Sequence, residues 1–302
     1  MFTLETIALN AWPTVAIALA GERDDFIPLA AAAAEMKLAI PDRSLFDLLD
    51  RWPEVWPKIA RIAAEAAPDP AARGARRLPQ LGNARKVLCA GANYYKHLAE
   101  MKVPVEKNPA KAPYIFMKPS TAVVGPGRTV PVDPTITMLD WEVELTAIIG
   151  KPGRDIPVSR ALEHVAGYTI AIDLTARDRH MQPETIFKFD FLAGKGQDGF
   201  CPTATGMLPA AFLANPQDTR IRLSVNGVTK QDASTSDMIY SVAELVSWSS
   251  KLSTLQPGDL LLTGSPEGVG FPKREFLAIG DKVRAELDGL GGFEVELYSK
   301  EP

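Results

Sequence analysis

Cysteine is scarce in this sequence of 302 residues, and long apolar runs are missing. Two cysteines, Cys89 and Cys201, are too few for a disulfide framework, and no CxxC motif or Cys/His cluster indicates a zinc site. No apolar run is long enough to span a bilayer. The apolar N-terminal stretch is interrupted by Glu5, Asn10 and Pro13 and has no basic region before it, which argues against a signal peptide. We therefore expect an intracellular, cytoplasmic protein without a membrane segment.

An excess of positive charge is missing as well. The sequence has 33 basic and 37 acidic residues, a net charge of -4, which argues against a nucleic-acid-binding surface. The chain is long enough for one large domain, or for a large and a small domain, with ample apolar content for a core. A small molecule is the expected partner.

The composition of the chain changes near residue 80. Before that point the pattern predicts short strands and then two helices, the second at Pro57–Ala66 with Pro57 in its first turn. Residues 67–79 contain prolines, small residues and three arginines without apolar periodicity, which predicts a linker. We place a small N-terminal α+β domain at residues 1–80 and a second domain at residues 81–302.

The segment 139–150 contains an unusual row of acids. Its alternation predicts a half-buried strand with Asp140, Glu142 and Glu144 on one face and apolar side chains on the other. Side chains on one face of a strand lie roughly 6 to 7 Å apart, so these carboxylates repel one another unless a cation lies between them. A hard divalent ion such as Mg²⁺, Mn²⁺ or Ca²⁺ suits carboxylate oxygens. Taken alone, however, the stretch is more typical of a solvated strand face, and a third ligand is needed to decide.

A histidine and a glutamate lie close together in the first helix after residue 80. Asn93 is positioned as the N-cap of a helix that continues to Met101, and His97 and Glu100 share one face of it at i and i+3. A histidine that faces a cleft is a candidate proton carrier. An ordinary solvated His/Glu pair is the alternative.

Asp173 follows a short apolar strand predicted at Ala166–Ile172. The end of a strand is a common position for a ligand or a catalytic group. The same residue could instead be the N-cap of a following helix, and the sequence leaves both interpretations open.

A formal GxGxxG pattern follows at residues 194–199. We reject a dinucleotide site because this segment continues into Cys201-Pro202 rather than opening a helix. We instead expect the glycines to shape a loop that holds Lys195 in a cavity, although the spacing alone favours a surface lysine.

The last third of the chain is patterned mainly as sheet. Asn226-Gly227 predicts a two-residue hairpin. Ser241 and Glu244 form a predicted capping box at the start of a helix. Strands outnumber helices after residue 80, so we predict a mixed α/β fold that is mostly β.

In combination, these motifs resemble the fumarylacetoacetate hydrolase family over roughly residues 85–300. Five matching groups occur in order: Gly91-Ala92-Asn93-Tyr94 with His97 and Glu100; Asp140-Trp141-Glu142-Val143-Glu144; Asp173 with Arg177; Gly194-Lys195 with Asp198; and Thr263-Gly264 before Gly268-Val269-Gly270. The resemblance implies a β-roll catalytic domain, a homodimer, and a Mg²⁺ or Mn²⁺ ion held by Glu142, Glu144 and Asp173.

The resemblance also implies roles for other side chains. His97 and Glu100 would form a catalytic dyad that activates water, on a segment that orders as a lid, and Lys195 would contact the oxygens of the substrate. The implied substrate-binding residues are Arg177, Thr263, Gln182 and Tyr94. This sequence departs from the family at one point: the family has a glutamine three residues after the arginine, whereas His180 stands here and Gln182 follows two residues later.

The implied activity is hydrolysis of the C–C bond in a 2,4-diketo acid, giving pyruvate and a carboxylic acid. An acylpyruvate such as fumarylpyruvate, or a 2,4-diketo-3-deoxy-L-rhamnonate or fuconate, has this structure. Alternatives are an oxaloacetate decarboxylase, a 2-oxo-acid isomerase or hydratase, and a non-catalytic metal-dependent binding protein. The residues that recognise the far end of the substrate are expected in the loops 101–113 and 182–187, whose sequence has no recognisable code.

Overall fold

The computed structural model describes residues 1–19, 25–41, 44–104 and 112–300. The strands of this part are β1 (Phe2–Leu9), β2 (Trp12–Leu19), β3 (Phe26–Pro28), β4 (Arg77–Leu78), β5 (Val87–Gly91), β6 (Tyr114–Lys118), β7 (Val123–Val124), β8 (Gly127–Val132), β9 (Leu139–Asp140), β10 (Val143–Ile149), β11 (Val165–Ile172), β12 (Thr175–Ala176), β13 (Met181–Gln182), β14 (Lys188–Phe189), β15 (Cys201–Pro202), β16 (Leu208–Pro209), β17 (Arg220–Val225), β18 (Val228–Ser234), β19 (Leu260–Leu262), β20 (Lys282–Leu287) and β21 (Gly291–Ser299). Its α-helices are α1 (Leu29–Glu35), α2 (Leu45–Leu49), α3 (Trp52–Glu65), α4 (Tyr95–Glu100), α5 (Arg177–His180), α6 (Phe191–Lys195) and α7 (Val242–Leu252).

The N-terminal part contains a four-stranded sheet in the order β3-β2-β1-β4, and helices α1 to α3 lie in the chain between β3 and β4. The second predicted helix begins earlier than expected, at Trp52, and a proline already occupies its first turn. Pro57 therefore lies inside α3, where its missing N–H removes one helical hydrogen bond. The sequence has a proline near each of the two possible starts, and the structure uses the first.

The predicted linker is partly a strand. Strand β4 pairs antiparallel with β1, with Thr6 opposite Leu78, and Ala72 is fully buried. Two residues are too few to show a period of two, so the sequence pattern gave no indication of this strand. A core that we call the smaller core joins apolar side chains of residues 2–62 to those of β5, β10, β11 and β19. The predicted boundary at residue 80 stays a prediction, and this core lies on both sides of it.

Two sheets enclose a larger core. One has six strands in the order β16-β11-β10-β19-β5-β6, and the other has five in the order β18-β17-β20-β21-β8. Strand β10 lies inside the first sheet, with Leu145, Ala147 and Ile149 in the larger core and Ile148 in the smaller core. The prediction of a half-buried strand is therefore wrong, because the N-terminal part covers the second face of the sheet.

The acidic segment is also not one continuous strand. It divides into β9 and β10, with Trp141 and Glu142 between them. The backbone N–H of Trp141 donates to Asp140 Oδ1 at 2.8 Å, and that of Val143 donates to Gln231 Oε1 at 2.9 Å. At the break, side-chain oxygens thus accept the backbone N–H groups that would otherwise bond to a neighbouring strand.

Several local predictions are confirmed. Asn226 and Gly227 have φ values of 49° and 79° between β17 and β18, as a type I′ turn requires. Ser241 and Glu244 form the capping box of α7. The fold is mixed α/β and mostly β, as expected. None of the described helices is both long and apolar enough to cross a membrane.

Candidate metal and active site

Three carboxylates converge at one end of the six-stranded sheet. Glu142, Glu144 and Asp173 each place an oxygen within 4.8 Å of the others, and all three side chains are buried. The register explains the convergence, since Val143 of β10 lies opposite Ile172 of β11. Glu142 and Asp173 are therefore neighbours across the two strands, and the N–H of Asp173 donates to the Glu142 carbonyl at 2.7 Å.

The structure resolves the two open interpretations of these acids. The solvated-face alternative for Glu142 and Glu144 is wrong, because their exposed fractions are 7% and 1%. Asp173 is not a helix N-cap, since the next helix, α5, begins four residues later and has Ala176 as its N-cap. Three buried carboxylates facing one another are a donor set that fits Mg²⁺ or Mn²⁺.

The two glutamates have opposite pKa shifts. Burial, together with the charges of Asp173 and Glu142, raises the pKa of Glu144 well above its usual range. Burial also acts to raise the pKa of Glu142, but the Lys195 ammonium and the Arg177 guanidinium hold it well below its usual range. Glu144 is therefore the acid whose charge is least compensated in the cluster.

Lys195 bridges two of the acids. Its Nζ donates to Glu142 Oε2 at 2.8 Å and to Asp173 Oδ2 at 2.6 Å. Burial acts to lower the pKa of this lysine, but the two carboxylates raise it above its usual range, so the side chain is cationic. The residue ends α6 rather than lying in a loop, and the surface-lysine alternative is wrong.

Lys118 is part of the site and was missed at the sequence level. Its Nζ lies 2.5 Å from Asp173 Oδ1 and donates to the carbonyls of Lys195, Phe200 and Leu174 at 2.6, 2.7 and 3.2 Å. The residue ends strand β6, where it is almost completely buried. A lysine at the end of an otherwise apolar strand was the signal that could have identified it.

Arg177 joins the cluster through a fourth acid. Its Nη2 donates to Glu142 Oε1 at 2.6 Å, and its Nε donates to Asp140 Oδ2 at 3.0 Å. Asp140 also accepts the backbone N–H of Gly270 at 2.7 Å. Asp140 therefore orients Arg177, and it is not a member of the carboxylate triad.

The predicted dyad is assembled beside the acids. His97 Nδ1 lies 2.9 Å from Glu100 Oε1, and Glu100 Oε2 accepts the N–H of Gly268 at 2.9 Å. An ionised carboxylate only accepts hydrogen bonds, so in a neutral imidazole this contact requires the proton on Nδ1, and Nε2 is then the acceptor. His97 is close enough to Glu142 that a positive charge on its imidazole would help lower the pKa of that acid.

The other three predicted substrate-binding residues are Tyr94, Thr263 and Gln182. Tyr94 is fully buried in the larger core, and Thr263 is buried with its hydroxyl donating to the Leu145 carbonyl at 2.8 Å. Gln182 is half-buried, and its Nε2 donates to the Arg179 carbonyl at 2.8 Å. The structure brings none of the three to the carboxylates by a hydrogen bond in its described part, and their substrate contacts stay predictions.

Asn93 has a different structural role from the predicted one. Tyr94, not Asn93, is the N-cap of α4, and Asn93 Nδ2 donates instead to the Thr263 carbonyl at 2.8 Å. The next residue, Gly264, donates its N–H to Glu144 Oε2 at 2.6 Å. Gly264 has a φ of +97°, and a Cβ there would lie 2.6 Å from the Cβ of Asn93, so only glycine suits this position.

Comparisons with known proteins agree with this geometry. Residues 86–297 match the family model described as fumarylacetoacetate (FAA) hydrolase, C-terminal. A Xenopus laevis protein named as a mitochondrial oxaloacetate tautomerase is 39% identical over 216 residues. The match covers 71% of this chain and 66% of that protein, so this chain spans slightly less than two thirds of its length. That relative is mitochondrial by name, and a cytoplasmic location for this chain stays a prediction.

Two solved structures are also similar. Fumarylpyruvate hydrolase from Pseudomonas aeruginosa, in complex with Mn²⁺ and pyruvate, is 34% identical with a TM-score of 0.65, covering 74% of this chain and 92% of that one. Fumarylacetoacetate hydrolase from Exiguobacterium antarcticum is 28% identical with a TM-score of 0.79, covering 99% of this chain and 100% of that one.

Replacing Glu144 with glutamine tests the carboxylate triad. We expect E144Q to bind Mn²⁺ at least about a hundredfold more weakly in calorimetry, since an anionic ligand is lost. The metal-free variant should also be more stable to urea at neutral pH, because a buried acid with a raised pKa is replaced by a neutral group. The control E163Q alters an exposed surface acid that is paired with Arg160, so it should leave Mn²⁺ affinity unchanged and change stability little. Unchanged Mn²⁺ affinity in E144Q would contradict the site.

Proposed function

Since the chain belongs to the fumarylacetoacetate hydrolase family, we propose that it uses Mg²⁺ or Mn²⁺ to hydrolyse a C–C bond of a 2,4-diketo acid, releasing pyruvate and a carboxylic acid. The family includes hydrolases and isomerases. The observation that supports hydrolysis is the His97–Glu100 dyad beside the buried acids, because hydrolysis needs a base for water. The bound Mn²⁺ and pyruvate of the Pseudomonas enzyme are consistent with the same chemistry.

The charge of the site favours an anionic substrate. Four carboxylates, those of Asp140, Glu142, Glu144 and Asp173, lie near three cations, Lys118, Lys195 and Arg177. When all are ionised, one negative charge is in excess, and a dication would turn this into one positive charge in excess. A buried site with that balance attracts the carboxylate of a 2-oxo acid.

The residues of the chain supply the proton transfers. A Mg²⁺ or Mn²⁺ ion held by Glu142, Glu144 and Asp173 would polarise the ketone of the substrate and stabilise the negative charge that develops on its oxygen. His97 Nε2 takes a proton from water as the water oxygen attacks the C4 carbonyl, and Glu100 holds the imidazole in position. The C3–C4 bond then breaks, its electron pair leaves with the pyruvate portion, and His97 returns the proton to C3.

Lys195 would contact the substrate as well. An ammonium group has three N–H donors, and two of them are used by Glu142 and Asp173. The remaining donor can bond to a substrate oxygen, and the raised pKa keeps the group protonated while it does so.

A second candidate is an oxaloacetate tautomerase. The Xenopus relative, at 39% identity, has this activity by name. Tautomerisation removes a proton beside the ketone and returns it to oxygen, so it uses the same electron withdrawal without an attack by water. The two candidates therefore differ in product and not in the carboxylate cluster they require.

A substrate panel distinguishes these candidates. We expect pyruvate release from acetylpyruvate or fumarylpyruvate, measured by coupling to lactate dehydrogenase, that stops with EDTA and returns with Mg²⁺ or Mn²⁺. Enol-oxaloacetate is followed in parallel by the loss of its enol absorbance. Accelerated tautomerisation without cleavage of any diketo acid would favour the second candidate. Metal-dependent binding of these acids without turnover would contradict both candidates and indicate a non-catalytic binding protein.

Removing the imidazole tests the dyad. We expect H97A to lower kcat for an acylpyruvate by about a hundredfold to ten-thousandfold, the usual contribution of a positioned acid–base group. Mn²⁺ affinity should stay within about twofold, because His97 is not in the triad. The control K96A changes an exposed side chain on the same helix and should leave both unchanged. Full activity in H97A would remove the dyad from the mechanism.

We also propose a homodimer. Ile186, Phe187 and Leu192, which are close together in the chain, have exposed fractions of 91%, 85% and 62%, and exposed large apolar side chains are typical of contact regions. Light scattering should give twice the chain mass of 32.7 kDa, whereas the mass of one chain would contradict the proposal.

A further inference from the structure

Strand β6 extends from the carboxylate cluster to the protein surface. It is an edge strand of the six-stranded sheet, and its residues alternate between the two faces. Lys118, Phe116 and Tyr114 therefore share one face, with Lys118 at Asp173 and the Phe116 ring centre 5.5 Å from Lys195 Nζ. The face that begins at the charged cluster thus continues outward as aromatic surface.

Four rings form what we call the aromatic wall: Tyr114, Phe116, His180 and Phe191. The centre of the Phe191 ring lies 5.4 Å from that of Tyr114, 5.0 Å from that of Phe116 and 4.5 Å from that of His180. These distances are typical of aromatic pairs in direct contact. Phe191 begins α6, the helix that ends with Lys195, so the wall and the lysine belong to one packed unit.

Tyr114 is the outermost ring. It lies between the end of β5, which leads to His97, and helix α6, which ends at Lys195. A Cβ on Gly91 would lie 2.9 Å from Tyr114 Cδ1, so the ring packs closely against the last residue of β5. The chain continues from Gly91 directly into the segment with His97. The tyrosine is still 53% exposed, so the outer part of its ring is available to a ligand.

His180 contributes to the wall as a neutral ring. Burial and the neighbouring Lys195 ammonium lower its pKa, so the imidazole is uncharged at neutral pH. This residue stands where the family resemblance led us to expect a glutamine. An apolar, aromatic neighbourhood therefore replaces a side-chain amide at this point.

We propose that the aromatic wall binds the acyl end of the substrate and that this end is an aryl or similarly flat apolar group. The inference rests on the proposed function, in which the carboxylate and ketone bind at the charged cluster. Phe116 is about 7 Å from Lys118 along the strand, and Tyr114 is about twice as far. A methyl group at C4 ends short of Tyr114, whereas a ring extends towards it and buries apolar surface against the wall.

The test compares two keto acids that lack the cleavable bond. We expect the Mn²⁺-loaded protein to bind 4-phenyl-2-oxobutanoate about tenfold more tightly than 2-oxobutanoate in calorimetry. In Y114A this ratio should fall to about two or less, and Y114F should keep it. The control M117A removes an equally exposed side chain from the opposite face of β6 and should also keep the ratio. Circular dichroism checks that each variant is folded.

Equal binding of the two acids, or equal effects of Y114A and M117A, would overturn the inference. Cleavage assays with benzoylpyruvate and acetylpyruvate separate this result from the fate of the proposed function. If neither compound is cleaved but the phenyl compound binds tightly through Tyr114, the result supports the inference about the aromatic wall and contradicts the proposed hydrolysis. If both compounds are cleaved with equal kcat/KM and the binding ratio is near one, the result supports the proposed hydrolysis and contradicts the inference about the aromatic wall.

Discussion

Compensation of buried negative charge is the constraint on which the rest of this structure depends. Four carboxylates lie out of contact with water, and removing an ion from water costs several kcal/mol unless opposite charge and hydrogen bonds replace the solvent. Lys118, Lys195 and Arg177 provide that charge from β6, α6 and α5. The elements on this side of the sheet are therefore positioned by the electrostatics of the site as well as by apolar packing.

The N-terminal part has a physical role in this arrangement. Its apolar side chains cover the face of the six-stranded sheet that also bears Glu144, near the start of β10, and Asp173, directly after the end of β11. With both faces covered, the cluster lies in a medium of low dielectric constant, where each charge interaction is stronger than in water. The same medium raises the pKa of Glu144, whose charge is the least compensated, and so prepares the site for a cation. A segment without recognisable chemical motifs thus influences the chemistry of the site.

The sequence predicted what depends on near neighbours. The hairpin at Asn226 and the capping box at Ser241 depend on a few adjacent residues, and alternation placed Glu142 and Glu144 on one face. The buried state of that face depended on side chains of residues 2–62, far away along the chain, so the segment was mistaken for a half-buried strand. Lys118 was missed for the same reason, since its partners lie 55 to 82 positions farther along the chain. The order of the motifs identified the acidic residues, but the contacts that Lys118, Lys195 and Arg177 make could be known only from the folded structure.

Hydrolysis and tautomerisation share one electron-withdrawing site, so the groups around that site must decide between them. Glu100 accepts the N–H of Gly268, and the carbonyl of Gly268 accepts the indole N–H of Trp141, which precedes Glu142. The dyad and the acids are therefore fixed to one another by two hydrogen bonds across a single loop. A base held at a constant distance from the carboxylates can serve either water or a substrate proton. The outcome then depends on what else occupies the space beside His97, which is a property of the bound acid and of the side chains that surround it.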